Sequence, residues 1–494
     1  MSLVPLKIPP GIYRNGTNYE SAGRYYDGSL VRFFEGTIRP VGGWLRYDQS
    51  QTALEGMARG IHSWRGLISR YFAIGTHSNL YASYDGGEVR DITPAGFTVG
   101  REDSYAGQGY GLGLYNTGNY NDPPVATTSL DATAWSLDNW GDYLVACSTT
   151  DGKIYAWDDS IPNAVVVSGA PTDTRLILVT PERHLVAMGT DSDPRLIKWS
   201  SQEDLNDWTA TSTNTAGDLI LQSQGRIVAA KKVRGQTLIV TDQDAHLMTY
   251  KGLPFIYGIE RVGTGCGCVG LNAIAVIDSG AIWMGRNGFF TFDGSVRPLP
   301  SDVSDYVFSD INETEFTKVY AGHNSLYREV WFFYCSANSS EVDRYVAYNY
   351  IEGHWTIGEL SRTCWSDAGV FPRPIAVGAD GYIYEHENGW TAAGTEIGAD
   401  RFLTSGPVEM AGGNSILYAR QIIPDERSAG QVQLSFTTKF TPEGDEYTYG
   451  PYTLSPYTDV RLSGRQISMS IEGVADEDWR VGTIRMEGTT GGQR

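Results

Sequence analysis

The chain has 494 residues, with 58 Gly, 30 Tyr and 13 Trp, and 38 Lys+Arg against 58 Asp+Glu give it a net charge of −20. That length allows a large core in about two to four units, and the acidity excludes general attraction to phosphate backbones, so contact with DNA needs a local exception. The five cysteines (Cys147, Cys266, Cys268, Cys335, Cys364) lack zinc spacing and read as buried thiols, and no apolar run approaches the ~18 residues that span a bilayer.

The opening Met1-Ser2-Leu3-Val4-Pro5-Leu6-Lys7-Ile8-Pro9-Pro10 has one cation and a short apolar stretch broken by prolines, so no secretory signal is expected. Alternation in Ser29-Leu30-Val31-Arg32-Phe33-Phe34 and Thr37-Ile38-Arg39-Pro40-Val41, around a Glu35-Gly36 turn, predicts a hairpin. Two further strands, Ile61–Trp64 and Tyr71–Ile74, complete a first sheet with the phrase that follows.

That phrase is a pair of apolar or aromatic residues around one small or polar residue, followed by a turn. It occurs seven times and closes on Tyr84, Trp157, Trp199, Tyr250, Phe292, Tyr348 and Tyr384, at intervals of 73, 42, 51, 42, 56 and 36 residues. These bracket the ~40–50-residue period of propeller blades. A four-stranded sheet with period-two alternation cannot bury its apolar face alone, and stacking blades around a ring does so. Asp-Gly and Asn-Gly pairs (Asp85-Gly86, Asp151-Gly152, Asn287-Gly288, Asp293-Gly294, Asp380-Gly381) supply the turns. The expected architecture is all-β: a propeller of six or seven blades over residues 1–400 and a C-terminal β-sandwich over 401–494.

The long first interval holds a Gly/Tyr-rich insertion at 104–125, with pentads opening on Tyr105, Tyr110, Tyr115 and Tyr120. Backbone this rich in Gly is too entropic to fold by itself, while evenly spaced tyrosines offer flat amphipathic faces to a partner. These four are the candidate partner-binding residues. Helices are expected only at 301–317, with Ser301 as N-cap and Val303, Tyr306, Val307 and Ile311 on one face, and at 202–208. From about residue 400 longer alternation appears, in Gln431–Phe436, Gln466–Ile471 and Val481–Met486, entered through a Gly-rich joint at 406–414.

No catalytic constellation announces itself. There is no Gly-x-Ser-x-Gly elbow, phosphate-binding loop or His-Glu-x-x-His, and the seven histidines are scattered singly. Asp191-Ser192-Asp193 and Asp242-Gln243-Asp244 offer oxygen ligands, yet neither continues into a loop with enough donors, and both read as turns. Lys231-Lys232-Val233-Arg234 is the one dense basic cluster; alternation puts Lys232 and Arg234 on one face, toward a phosphate or toward water. No enzyme activity, metal or cofactor is expected.

Two stretches, and the Tyr-Gly pentads between them, carry a resemblance. Pro10-Gly11-Ile12-Tyr13-Arg14-Asn15-Gly16-Thr17, Gly23-Arg24-Tyr25-Tyr26-Asp27-Gly28 and Arg39-Pro40-Val41-Gly42-Gly43-Trp44 resemble the opening of tail proteins of tailed bacteriophages. Tyr449-Gly450-Pro451-Tyr452-Thr453-Leu454, Arg461-Leu462-Ser463-Gly464-Arg465-Gln466 and Asp478-Trp479-Arg480-Val481-Gly482 resemble their close. The layout is similar to the nozzle or hub protein of short-tailed phages, the packaged-DNA stabilisation protein family. That resemblance implies a virion tail protein made in the host bacterial cytoplasm and assembled as a hexameric ring beneath a tail adaptor protein. It implies a ring that passes double-stranded DNA without sequence specificity and carries tail fibre, spike or needle proteins. The alternatives are a carbohydrate-binding or depolymerising propeller at the tail tip, and a cellular propeller scaffold, which predicts a monomer.

Overall fold

Each copy of the repeated phrase is the third strand of a four-stranded antiparallel sheet, and there are seven such sheets in chain order. The structure, a computed structural model, describes residues 2–48, 52–84, 87–105, 130–409, 415–425 and 430–492. The innermost strands, Ala58–Arg65, Trp135–Trp140, Leu176–Val179, Ile227–Val233, Ile274–Ile277, Tyr320–Asn324 and Arg362–Ser366, each lie beside the next, and the seventh lies beside the first. The result is a closed seven-bladed propeller. Its seventh blade takes its outer strand, Trp44–Arg46, from the beginning of the chain, with Leu45 opposite Glu385.

Apolar residues from facing blades fill the gaps between them, as where Phe72 and Ile74 of the first blade meet Trp365 and Val377 of the seventh. Two glycines admit large indoles into these gaps. A Cβ on Gly75 would come within 2.2 Å of the Trp135 ring, and one on Gly322 within 2.6 Å of Trp365. In both cases the indole N–H donates to the carbonyl of the residue after the glycine: Trp135 to Thr76 at 2.7 Å and Trp365 to His323 at 2.8 Å. A buried indole needs such a partner.

The remaining strands form a sandwich. One sheet has the order Ser2–Leu6, Ile484–Gly491, Ile416–Ile423, Thr458–Gly464, and the other Tyr25–Ser29, Phe402–Ser405, Gln466–Gly473, Val432–Lys439, Tyr447–Thr453. Val432–Lys439 alternates strictly between buried and partly exposed residues, and its inward Val432, Leu434 and Phe436 share one core with Leu417, Leu462 and Met486 of the facing sheet.

Four expectations change. Residues 2–6 and 25–29, expected in the propeller, pair with C-terminal strands of the sandwich. The hairpin of Val31–Phe34 and Thr37–Pro40 does form, with Glu35 and Gly36 at φ of 52° and 73°, but it stands apart from the first blade, whose fourth strand is the short Arg90–Asp91. The 301–317 helix divides into an α-helix at Ser304–Asp310 and a 3-10 helix at Glu313–Lys318. Asn312 causes the break: its side chain accepts from Thr314 N at 3.1 Å and caps the second helix. At 202–208 there are turns instead of a helix, with Glu203 at φ 60° and Asp204 accepting from Asn206 N.

The sandwich seats on the outside of the sixth blade and the connection before it, through Ile12 N to Trp355 O at 2.8 Å and Arg14 N to Asp302 O at 2.7 Å.

Candidate functional site

Successive antiparallel strands alternate in direction, so every inner strand of the ring starts at the same end, here called the upper end. Five of them open on a cation: Arg59, Arg175, Arg226, Lys318 and Arg362 lie within two residues of their starts. Together they form a collar around the upper mouth of the ring, and four of the five meet carboxylates there.

Lys318, fully buried, lies 2.5 Å from Asp103 and 3.3 Å from Glu315, and Arg59 lies 2.6 Å from Glu341. Arg175 and Arg226 share Asp131, at 3.3 and 3.4 Å. Burial, then the like charge of Arg226, pulls Arg175 below its ordinary pKa. Arg362 instead donates through Nε to His386 Nε2 at 2.7 Å, its guanidinium 4.8 Å from the Trp44 ring and 4.6 Å from that of Tyr384. Burial lowers its pKa to about 10.

The collar roots the insertion. Ser104 N donates to both carboxylate oxygens of Glu315 at 3.1 Å, and Tyr105 and Leu130 exchange backbone hydrogen bonds of 2.8 and 2.9 Å. Of the candidate tyrosines, Tyr105 stands at this stem, 44% exposed. Tyr110, Tyr115 and Tyr120 lie outside the described residues.

Beside the stem opens a cavity of about 810 Å³, lined by Tyr105, Asp131, Arg226, Asp242, Phe290 and Phe316 among others. Its charged groups are ion-paired: Arg226 also faces Asp242 at 4.0 Å, and Arg286 lies 3.7 Å from Glu313 and 5.4 Å from the Phe316 ring. Fixed charges beside aromatic faces suit a polar ligand held by hydrogen bonds and stacking. Burial pushes the thiol of Cys268, on its wall, up to about 12.

Farther down, Lys232 of the fourth blade bridges to Asp138 of the second, and His62 of the first adds a hydrogen bond to Asn139 at 3.1 Å. Burial disfavours the Asp138 charge, but Lys232 and His62 outweigh it and hold the carboxyl below its usual range. Of the expected basic face, Lys232 is thus engaged within the ring, and Arg234 donates to Asp293 O at 2.8 Å. Asp191 accepts from Thr172 N and Lys198, and Asp244 from Thr241 and Ser223, so both acidic runs serve turns.

Sequence reading missed the collar because its partners lie far apart in the chain, as with Arg59 and Glu341. Aligning the seven blades on their third strands would have found it: a cation recurs just ahead of, or at the head of, the apolar run that opens a blade.

No protein-family model and no curated protein matches this chain. Among solved structures it is similar to YCF48 from Cyanidioschyzon merolae, at 12% identity and a TM-score of 0.40 over 70% of this chain and 99% of that one. The Cps50 (Swd1) β-propeller domain of Myceliophteria thermophila is similar at 10% identity and a TM-score of 0.39 over 70% and 99%. An exo-β-1,3-galactanase from Phanerochaete chrysosporium is similar at 10% identity and a TM-score of 0.32 over 91% and 100%.

Proposed function

We propose that this chain is a structural tail protein of the short-tailed phage type, a nozzle or hub subunit. Its copies would form a ring that retains and passes packaged DNA and anchors tail appendages. One observation carries the reading: the two stretches that resemble tail proteins, far apart in sequence, come together in and around the sandwich, except for Trp44, which lies in the seventh blade. Ile38 and Val481 exchange backbone hydrogen bonds of 2.9 and 3.0 Å, and Tyr25–Ser29 pairs with Phe402–Ser405 at the edge of the sheet that holds Tyr447–Thr453. The end stretches of the resemblance thereby meet in one module on the propeller rim, where neighbours in an assembly would meet it.

Mass measurement of the purified protein, alone and with its neighbouring tail proteins, tests this. A symmetric ring with those neighbours, and loss of DNA from particles that lack the chain, are the expected results. A monomer indifferent to tail proteins would overturn it.

The ion-paired, aromatic-lined cavity favours one second reading, a carbohydrate-binding propeller at the tail tip. Binding on a glycan array that Arg226→Ala abolishes would support that reading, and release of reducing sugar would extend it to depolymerisation.

A further inference from the structure

The fourth blade sends a hairpin beyond the lower end of the ring. Its strands, Asp244–Gly252 and Ile256–Thr264, run nine residues each. The preceding strand stops pairing at Met248, and beyond that point Thr249–Gly252 pairs only across the hairpin, as far as Gly252 opposite Ile256. At the tip, Leu253 and Phe255 are 77% and 76% exposed.

The base of this hairpin is braced. Tyr257 is buried, its hydroxyl 2.8 Å from Thr180 Oγ1, and its ring packs 5.2 Å from Trp199, 5.5 Å from His184 and 5.7 Å from Tyr250. The tip is therefore held on a braced neck, so docking costs little backbone ordering. Exposed Lys251 beside it meets no carboxylate among the described residues.

Elsewhere on the molecule a groove of about 560 Å³ runs between the sandwich and the rim of the sixth and seventh blades. Its lining is mixed: Leu30, Trp44 and Phe402 stand beside Tyr306, Glu359 and Asp400 among others. Its two cations are engaged, Arg14 with Asp27 at 2.8 Å and Arg344 with Asp310 at 3.1 Å. Exposed Glu359 and Asp400 stand on its edge; neither forms an ion pair within 4 Å among the described residues, and Asp400 acts on Arg401 at longer range.

We propose that the hairpin tip of one copy of this chain seats in the groove of the next, with Leu253 and Phe255 on the apolar part of the lining and Lys251 against Glu359 and Asp400. The inference rests on the ring reading above and names its contact. Knob and groove are complementary in charge, Lys251 against Glu359 and Asp400, and the occupant is a second copy because one chain carries both halves. They lie two to three blades apart around the propeller, so the contact is head-to-tail, the kind that gives a ring where its rotation closes and a filament where it does not.

Sedimentation velocity of the full chain over rising concentration tests it. The expected result is self-association that L253D/F255D weakens at least tenfold, with the melting temperature unchanged because the tip is exposed. Lys251→Glu and Glu359→Lys should each weaken association, and the double variant should restore it. A chain monomeric at every concentration overturns the proposal, as does association that the tip variant leaves intact. Tip variants that associate normally but are missing from tail particles also overturn it, and assign the tip to another tail protein. Rings that persist without the tip spare the tail function; a chain absent from all tail particles removes that function whatever the tip does.

Discussion

Lys232 on the inner strand of the fourth blade reaches past the third blade to Asp138 on that of the second, its Nζ 2.9 and 2.8 Å from the two carboxylate oxygens. The second carboxylate oxygen also accepts Val179 N of the intervening blade at 2.8 Å. Three inner strands are thus tied together across the inside of the ring by one ion pair.

Replacing Asp138 with Asn should cost about 1–3 kcal/mol at pH 7. This is less than the ~3–5 of a fully buried pair, because the Lys232 side chain is 42% exposed. Asp138 is held below its ordinary value, so its contribution is full above about pH 4 and is lost as pH falls through the folded value. Chemical denaturation at pH 7 and pH 3.5 checks this: the gap between wild type and Asp138→Asn should narrow at the lower pH.

His386 sets a second acid limb. Burial first, and then Arg362, drives its pKa well below 6.5. The folded protein keeps this imidazole neutral while the unfolded chain protonates it, so stability falls as pH drops below about 6.5, by up to ~1.4 kcal/mol per unit. His62 and His77, also lowered by burial, add to the same limb. His386→Asn should remove part of the slope between pH 6.5 and 5, read from urea midpoints.

The blades were legible because period-two patterning survives in every third strand, whether it closes on buried Trp157 or half-exposed Tyr250. What escaped was long-range pairing. Nothing local in Trp44-Leu45-Arg46 says that it completes a blade begun at Arg362, and nothing in Ser2–Leu6 points to Ile484–Gly491. The collar was hidden for the same reason: Arg175 and Asp131 look like ordinary loop charges until the ring brings their connections together.

Gly75 and Gly322 should resist even the smallest side chain. Each faces an indole that fills the space a Cβ would take, and the indole is held in place by its own hydrogen bond. Gly75→Ala and Gly322→Ala should each destabilise by about 1–3 kcal/mol, the usual cost of overpacking. Gly235, with open space around its Cβ position, is no control because its φ is +76°; Gly288, equally open and without a positive φ, is the proper one. Thermal melts of the three variants give the comparison, with Gly288→Ala near wild type.

Arg32 pins the N-terminal hairpin to two blades. Its side chain is 1% exposed and lies 3.1 Å from Glu329 of the sixth blade and 2.6 Å from Glu387 of the seventh, with its guanidinium 3.6 Å from the Tyr327 ring. Arg32→Met leaves two buried carboxylates uncompensated and should cost about 3–5 kcal/mol. Arg32→Lys should rescue little, since a point charge cannot reproduce a fork shared between two acids. Guanidinium denaturation of both variants gives the ranking.

The charge distribution makes a prediction about DNA. Net charge is −20, and four of the five collar cations already face carboxylates within 3.5 Å, at Asp131, Asp103, Glu315 and Glu341. Phosphate affinity comes from cations free to replace condensed counterions, and cations paired inside the protein release none. The purified chain should therefore show no binding to duplex DNA by fluorescence anisotropy at either about 50 or about 200 mM salt. Removing both Asp131 and Glu341 as Asn and Gln would free part of the collar and should bring in weak binding that vanishes at the higher salt. Tight binding by the wild-type protein at the higher salt would contradict a wall along which DNA slides, and would mean that cations outside the collar grip the duplex.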